Sequence, residues 1–109
     1  MSDPAGPVFA ALADGTRREV LQAVATRGTA TATELAAELP VTRQAVAKHL
    51  AVLADAGLVA ARREGRETRF RPTPAPLGEA IGWMTTVGAE WDDRLAALGR
   101  HATGRRRPR

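Results

Sequence analysis

Cysteine is absent from all 109 residues. That excludes disulfides, thiolate metal sites, cysteine nucleophiles and thiol redox sensing, and makes the cytoplasm the default compartment. Apolar runs extend no further than a few residues, so no segment reads as spanning a membrane. Asp3 and Pro4 are not followed by a charged-then-apolar leader, and no secretory signal is read. No Ser/His/Asp set, no paired carboxylates at a pocket and no glycine-rich phosphate loop can be assembled, which makes an enzyme the poorest fit. No internal repeat of roughly 20–50 residues occurs. What is present suits one globular domain: 44% hydrophobic and 26% charged residues, in a chain too short for two cores.

The formal charge of +4 is unevenly spread. Residues 1–40 hold three arginines against five carboxylates, and residues 74–98 hold one arginine against four. Residues 41–73 carry seven basic side chains (Arg43, Lys48, Arg62, Arg63, Arg66, Arg69 and Arg71) against three acids. Residues 99–109 carry five arginines and no acid. A basic island between acidic segments is what a polyanion-binding face requires, whereas a merely solvated face mixes both signs.

Hydrophobic spacing predicts a first helix over Pro7–Ala13 and a second over Arg17–Ala25, capped by Asp14, striped by Val20, Leu21 and Val24, and ended by Gly28. Thr29 to Ala32 suits one brief strand. Thr33 reads as the N-cap of a third helix that Pro40 closes, and Thr42 as the cap of a fourth. In the fourth, Val46, Leu50 and Leu53 face inward and Gly57 follows at the C′ position. Leu58–Glu64 and Glu67–Arg71 read as a hairpin about Gly65-Arg66, and Pro72, Pro74 and Pro76 as a stiff connector. From there Leu77, Ile81, Met84, Gly88, Trp91, Leu95 and Leu98 recur at heptad spacing, with Trp83 and Val87 widening the face. Gly78, Gly82 and Gly88 each cost about 1 kcal/mol in a helix interior. A second subunit packed against this helix is favoured over its own domain's core, with Val8 and Phe9 of the first helix joining the interface. At helical spacing, Trp83 and Trp91 read as packing residues.

Helix, turn, helix and basic hairpin is the order of a winged helix-turn-helix. The Thr42–Ala56 helix would enter a major groove by its first turn. There Arg43 can grip guanine bidentately and Gln44 adenine. Thr42, Lys48 and the free N–H groups at either helix start suit phosphates, and Thr33 is a DNA-binding candidate at the start of the helix that would lie across the backbone. Arg62, Arg63, Arg66 and Arg69 on the hairpin suit phosphates or a narrow minor groove. His49, one step off the apolar stripe, reads first as a packed histidine, with a phosphate contact as its functional alternative. His101 reads as solvated.

The run Val8 to Arg18, with Ala11-Leu12-Ala13-Asp14-Gly15-Thr16-Arg17-Arg18 inside it, resembles the opening of the ArsR (arsenic-resistance repressor) family. Thr33-Glu34-Leu35-Ala36, Gln44 to Leu50, Ala56-Gly57-Leu58-Val59 and Arg63-Glu64-Gly65-Arg66 resemble its binding helices and wing in the right order, so the similarity spans about residues 8–98. The resemblance implies a mainly α (α+β) winged helix-turn-helix with a two-stranded β-wing and a long C-terminal dimerisation helix. It implies a homodimer that binds double-stranded DNA at an inverted-repeat operator and represses transcription at the nucleoid. Metal-sensing members carry a cysteine pair or Asp/His ligands on the last helix. Glu90, Asp92, Asp93 and His101 lack that paired spacing, so no metal and no cofactor is expected. The chain resembles the cysteine-free subgroup, which leaves a small-molecule effector open. Residues 1–98 are read as the domain and 99–109 as a disordered basic tail. A winged-helix protein–protein module without sequence-specific DNA binding stays as the alternative, although such modules usually lack a basic recognition turn.

Overall fold

Three of the helices begin where a side-chain oxygen accepts an unpaired N–H group of the first turn. The computed structural model describes residues 5–102, with side chains through 99. After α1 (Ala5–Leu12), Asp14 caps α2 (Gly15–Arg27), its Oδ1 accepting from Arg17 N at 3.0 Å. Gly28 ends α2 with φ 85°, a left-handed conformation that favours glycine. Strand β1 (Ala30–Thr31) leads directly into α3 (Ala32–Glu38). Thr31, and not Thr33, caps α3. Its hydroxyl accepts from Glu34 N at 3.1 Å, and Glu34 Oε1 accepts in return from Thr31 N at 3.0 Å. This reciprocal box satisfies a threonine that is almost completely enclosed. Thr42 caps α4 (Arg43–Asp55), accepting from Ala45 N at 3.1 Å.

The hairpin pairs β2 (Val59–Glu64) with β3 (Glu67–Pro72), from Val59 opposite Pro72 to Glu64 opposite Glu67. Gly65 takes φ 63° at the tip while no non-glycine residue among the described residues has positive φ, which fits a II′ turn. The two-stranded wing is part of a three-stranded sheet: β1 joins β3 on its other side, giving the antiparallel order β1-β3-β2. The expected proline connector is shorter than Pro72–Pro76, since Pro72 ends β3 and Pro76 lies in the first turn of α5 (Ala75–Ala102), where proline's missing N–H has no helical partner to lose.

The core gathers Val8 from α1, Val20 and Val24 from α2, Leu35 from α3, Val46, Leu50 and Leu53 from α4, and Leu58 after it, all essentially enclosed. Val8, expected at a dimer interface, is therefore a core residue of its own chain, because the inward face of α1 closes over α2 and α4. Leu77 likewise packs on this core, and Ala80 is buried. Phe9 meets Trp83 edge-on at 5.5 Å, tying α1 to α5.

Beyond that contact α5 leaves the domain. The radius of gyration is 19.5 Å, against about 13 Å for a compact chain of this length. Ile81, Trp83, Met84, Trp91, Leu95 and Leu98 are all about half exposed, and nothing but the helix itself approaches the Cβ positions of Gly78, Gly82 or Gly88 within 4 Å. The helix runs to Ala102, past the boundary expected at 98; the rest of the arginine-rich tail, 103–109, lies outside the described residues, as does the side chain of His101.

Candidate nucleic-acid interface

Burying Val46, Leu50 and Leu53 decides what α4 shows to the outside. At about 100° per residue, Gln44, Ala47, Lys48 and Ala51 fall on the opposite side, and all four are exposed. Thr42, Arg43, Gln44 and Lys48 surround an open depression at the helix start. Ala47 and Ala51 went unremarked in the sequence because a methyl carries no charge, yet the 3.6-residue period places them there. Short side chains on this face let a base edge come close, and an alanine methyl can meet that of thymine.

Arg43 is exposed, and its Nε donates to Thr33 Oγ1 at 3.1 Å. Neither Arg43 nor Lys48 has a carboxylate within ion-pair distance among the described residues. Arg43 and Ala47 face Arg66, Glu67, Thr68 and Phe70 of the wing across one cleft, and Glu67 also lies 3.7 Å from Arg69. The turn of α4 and the tip of the hairpin thus present cations to the same space.

Cross-strand register sorts the wing's charges. Arg62 sits beside Arg69 and Glu64 beside Glu67 on one face, while Arg63 sits beside Thr68 on the other. On the first face Arg69 donates to both Glu34 oxygens, at 3.2 and 3.4 Å, and lies 3.6 Å from Glu64 and 3.7 Å from Glu67. Arg69, expected to reach DNA, is instead the centre of an internal ion cluster and only 25% exposed, because the β1–β3 pairing sets it beside the start of α3. Arg62 keeps a long contact to Glu64, 3.8 Å, but is 78% exposed. Arg63 Nε donates to Gly65 O at 3.0 Å, and neither Arg63 nor Arg66 meets a carboxylate among the described residues. Arg71 is also exposed without such a partner, a cation the sequence reading did not place at the site.

His49 belongs elsewhere. It is half-buried, its Nδ1 faces Arg17 Nη1 at 3.3 Å, and Arg17 Nε donates to Ala11 O at 2.8 Å. With a guanidinium donor opposite it, Nδ1 acts as an acceptor, and the ring links α2 to α4 on the side away from Gln44 and Lys48.

Glu34 is the wing's anchor, which sequence reasoning missed: the capping box is local, but Arg69 is a distant partner that only the strand pairing brings in. The Thr31 amide first, then the Arg69 guanidinium, hold its carboxyl below the ordinary range, and Glu34 in turn holds Arg69 charged. The Arg17 amide does the same for Asp14. Folded-state values below the unfolded ones mean stability that is fully present above the unfolded value and is lost as pH falls through the folded one. The urea midpoint is therefore expected to drop as pH falls below about 4.5, Glu34's ordinary value. Glu34→Gln is expected to flatten that acid limb; an unchanged limb would remove Glu34 from the account.

Comparison with known proteins agrees with this geometry. Residues 12–62 match the helix-turn-helix domain family. The chain is 46% identical to an uncharacterized helix-turn-helix-type transcriptional regulator, YuzN of Bacillus subtilis, over 84 residues, covering 71% of this chain and 91% of that one. It is 38% identical to a probable mercury resistance operon repressor of Streptomyces lividans over 96 residues, covering 88% and 74%. Among solved structures, an ArsR-like transcriptional regulator from Rhodococcus sp. RHA1 superposes with a TM-score of 0.79 at 45% identity, covering 91% and 92%. The homodimeric winged helix-turn-helix DNA-binding domain of a possible ArsR-family regulator from Mycobacterium bovis does so at 0.63 and 27%, covering 81% of each. An exposed, cation-bearing α4 start beside a basic wing, on a backbone shared with these regulators, places the chain in the ArsR-like family of winged helix-turn-helix transcriptional regulators, which are DNA-binding proteins and not enzymes.

Proposed function

We propose that the chain acts as a homodimeric repressor on an inverted-repeat operator, with the first turn of α4 in the major groove and the wing on the flanking backbone or minor groove. The observation that carries this reading is the cleft bounded by Arg43 and Ala47 of α4 and by Arg66, Glu67 and Thr68 of the wing, with Arg43 and Arg66 both without a carboxylate partner among the described residues. Arg43 and Gln44 read bases, Thr42 and Lys48 hold phosphates, and Arg62, Arg63 and Arg66 lie along the next stretch of backbone. The dimer forms through the exposed stripe Ile81, Met84, Gly88, Trp91, Leu95 and Leu98, with Phe9 bracing its base through Trp83. Its glycines leave room for a second helix at close range. Two copies then space their recognition helices by about 34 Å, one turn of DNA. An effector bound between the α5 helices would act by changing the angle between the two heads. The Streptomyces relative is named for mercury. With no cysteine, and no cluster of three His, Asp or Glu among the described residues, this chain does not fit a thiophilic metal.

The test is fluorescence anisotropy of the purified chain on fragments from its own upstream region, over a salt series. Arg43→Ala is expected to cost about 1–3 kcal/mol on the operator and to relax preference at one base pair. Lys48→Ala is expected to weaken all sequences alike and to lower the salt slope by about one. Equal loss on scrambled DNA for Arg43→Ala would assign that side chain to the backbone. No binding at any salt would leave the protein–protein reading.

A further inference from the structure

The Thr33 hydroxyl has no capping duty, because Thr31 closes the first turn of α3. It accepts instead from Arg43 Nε, across the turn that joins the two helices. Both side chains line the cleft shared with the wing. A long arginine otherwise samples many rotamers, and ordering them on binding lowers affinity. With Nε engaged, the guanidinium offers its two terminal nitrogens, which carry no other partner among the described residues. Their paired N–H groups match the two acceptors of guanine, O6 and N7. Adenine presents a donor where guanine has O6, and a group made only of donors cannot satisfy it.

We infer that Thr33 is a positioning residue that sets base specificity: by holding Arg43 Nε it presents the guanidinium end-on, and each half-site is selected for guanine at one position. This rests on the reading of Arg43 as a base contact. It also changes the role expected of Thr33, from a direct DNA contact to a support for its neighbour.

The experiment compares Thr33→Val, Thr33→Ser and Arg43→Ala with the parent chain, on the operator and on single-base substitutions of it. Thr33→Val is expected to reduce discrimination for guanine by about two- to tenfold at the position where Arg43→Ala abolishes it. Affinity for scrambled DNA and the salt slope should stay unchanged, and Thr33→Ser should restore the preference. Uniform weakening with a salt slope lower by about one would make Thr33 a phosphate contact and overturn the inference; so would unaltered discrimination. A second readout needs no DNA. By NMR, Arg43 Nε–H exchange with water should be faster in Thr33→Val than in the parent or Thr33→Ser. Equal rates in all three overturn the inference and leave the proposed function standing. Slowed exchange in the parent, with base preference untouched by Arg43→Ala, overturns the Arg43 reading itself and the inference with it.

Discussion

On the proposed dimer, Trp91→Glu is expected to sediment as a monomer at micromolar concentrations where the parent chain is expected to be a dimer, and to lose operator binding with it. Trp91 is 54% exposed on its own chain, in the middle of a stripe running from Ile81 to Leu98. Buried tryptophans at the centre of an interface commonly contribute about 2 kcal/mol or more each. A twofold axis repeats the substitution, so the loss doubles to about 4 kcal/mol, roughly a thousandfold in the dissociation constant. The glutamate adds a carboxylate that the contact would have to desolvate. A single head then reads one half-site, and the advantage of binding two together disappears. Arg94 stacks over the Trp91 ring at 5.7 Å and serves as the control. Arg94→Ala should leave the oligomeric state intact, because an exposed cation–π contact is worth only about 0.5–1 kcal/mol. Persistence of the dimer in Trp91→Glu would remove this face from the interface.

Leu50→Ala should destabilise the fold itself by about 2–5 kcal/mol, a substantial share of a small domain's margin of about 5–15. Leu50 is fully enclosed at the middle of α4, among residues contributed by every helix of the head. Truncating it leaves a cavity that the packed neighbours cannot fill. At about 4–8 °C per kcal/mol, the melting temperature should fall by about 10 °C or more. Val52→Ala, two residues on and 39% exposed, should shift stability by about 0.5 kcal/mol at most. The comparison must be made at one protein concentration, since the proposed dimerisation would contribute to apparent stability. Equal effects of the two substitutions would mean that α4 does not pack as described.

Much of the architecture was legible along the chain. The inward stripe of α4, the Asp14 and Thr42 caps and the Gly65-Arg66 tip are local, set by residues within a few positions of each other, and they stand where the spacing predicts them. The α3 cap was misplaced by two residues because Thr31 and Thr33 are equally competent at capping. The choice went to Thr31, whose partner Glu34 lies three residues on and completes the box. The wing arginines show the limit more clearly. In sequence Arg62, Arg63, Arg66 and Arg69 are equivalent cations. Strand register alone gives Arg69 to Glu34, Glu64 and Glu67 and leaves Arg63 and Arg66 without an acidic partner among the described residues.

Segregated charge, helical periodicity and cap residues thus suffice to place a basic reading helix and a hairpin in order, because each can be read along the chain without its tertiary contacts. Which of those cations face outward, which side chain steadies Arg43, and that Val8 and Leu77 turn inward while Ile81 to Leu98 stay uncovered, follow from contacts between residues far apart in sequence. Those contacts exist only once β1, β3 and α3 have come together and α5 has left the core, since burial and pairing, not residue type, decide whether a charge or an apolar surface remains available to a partner.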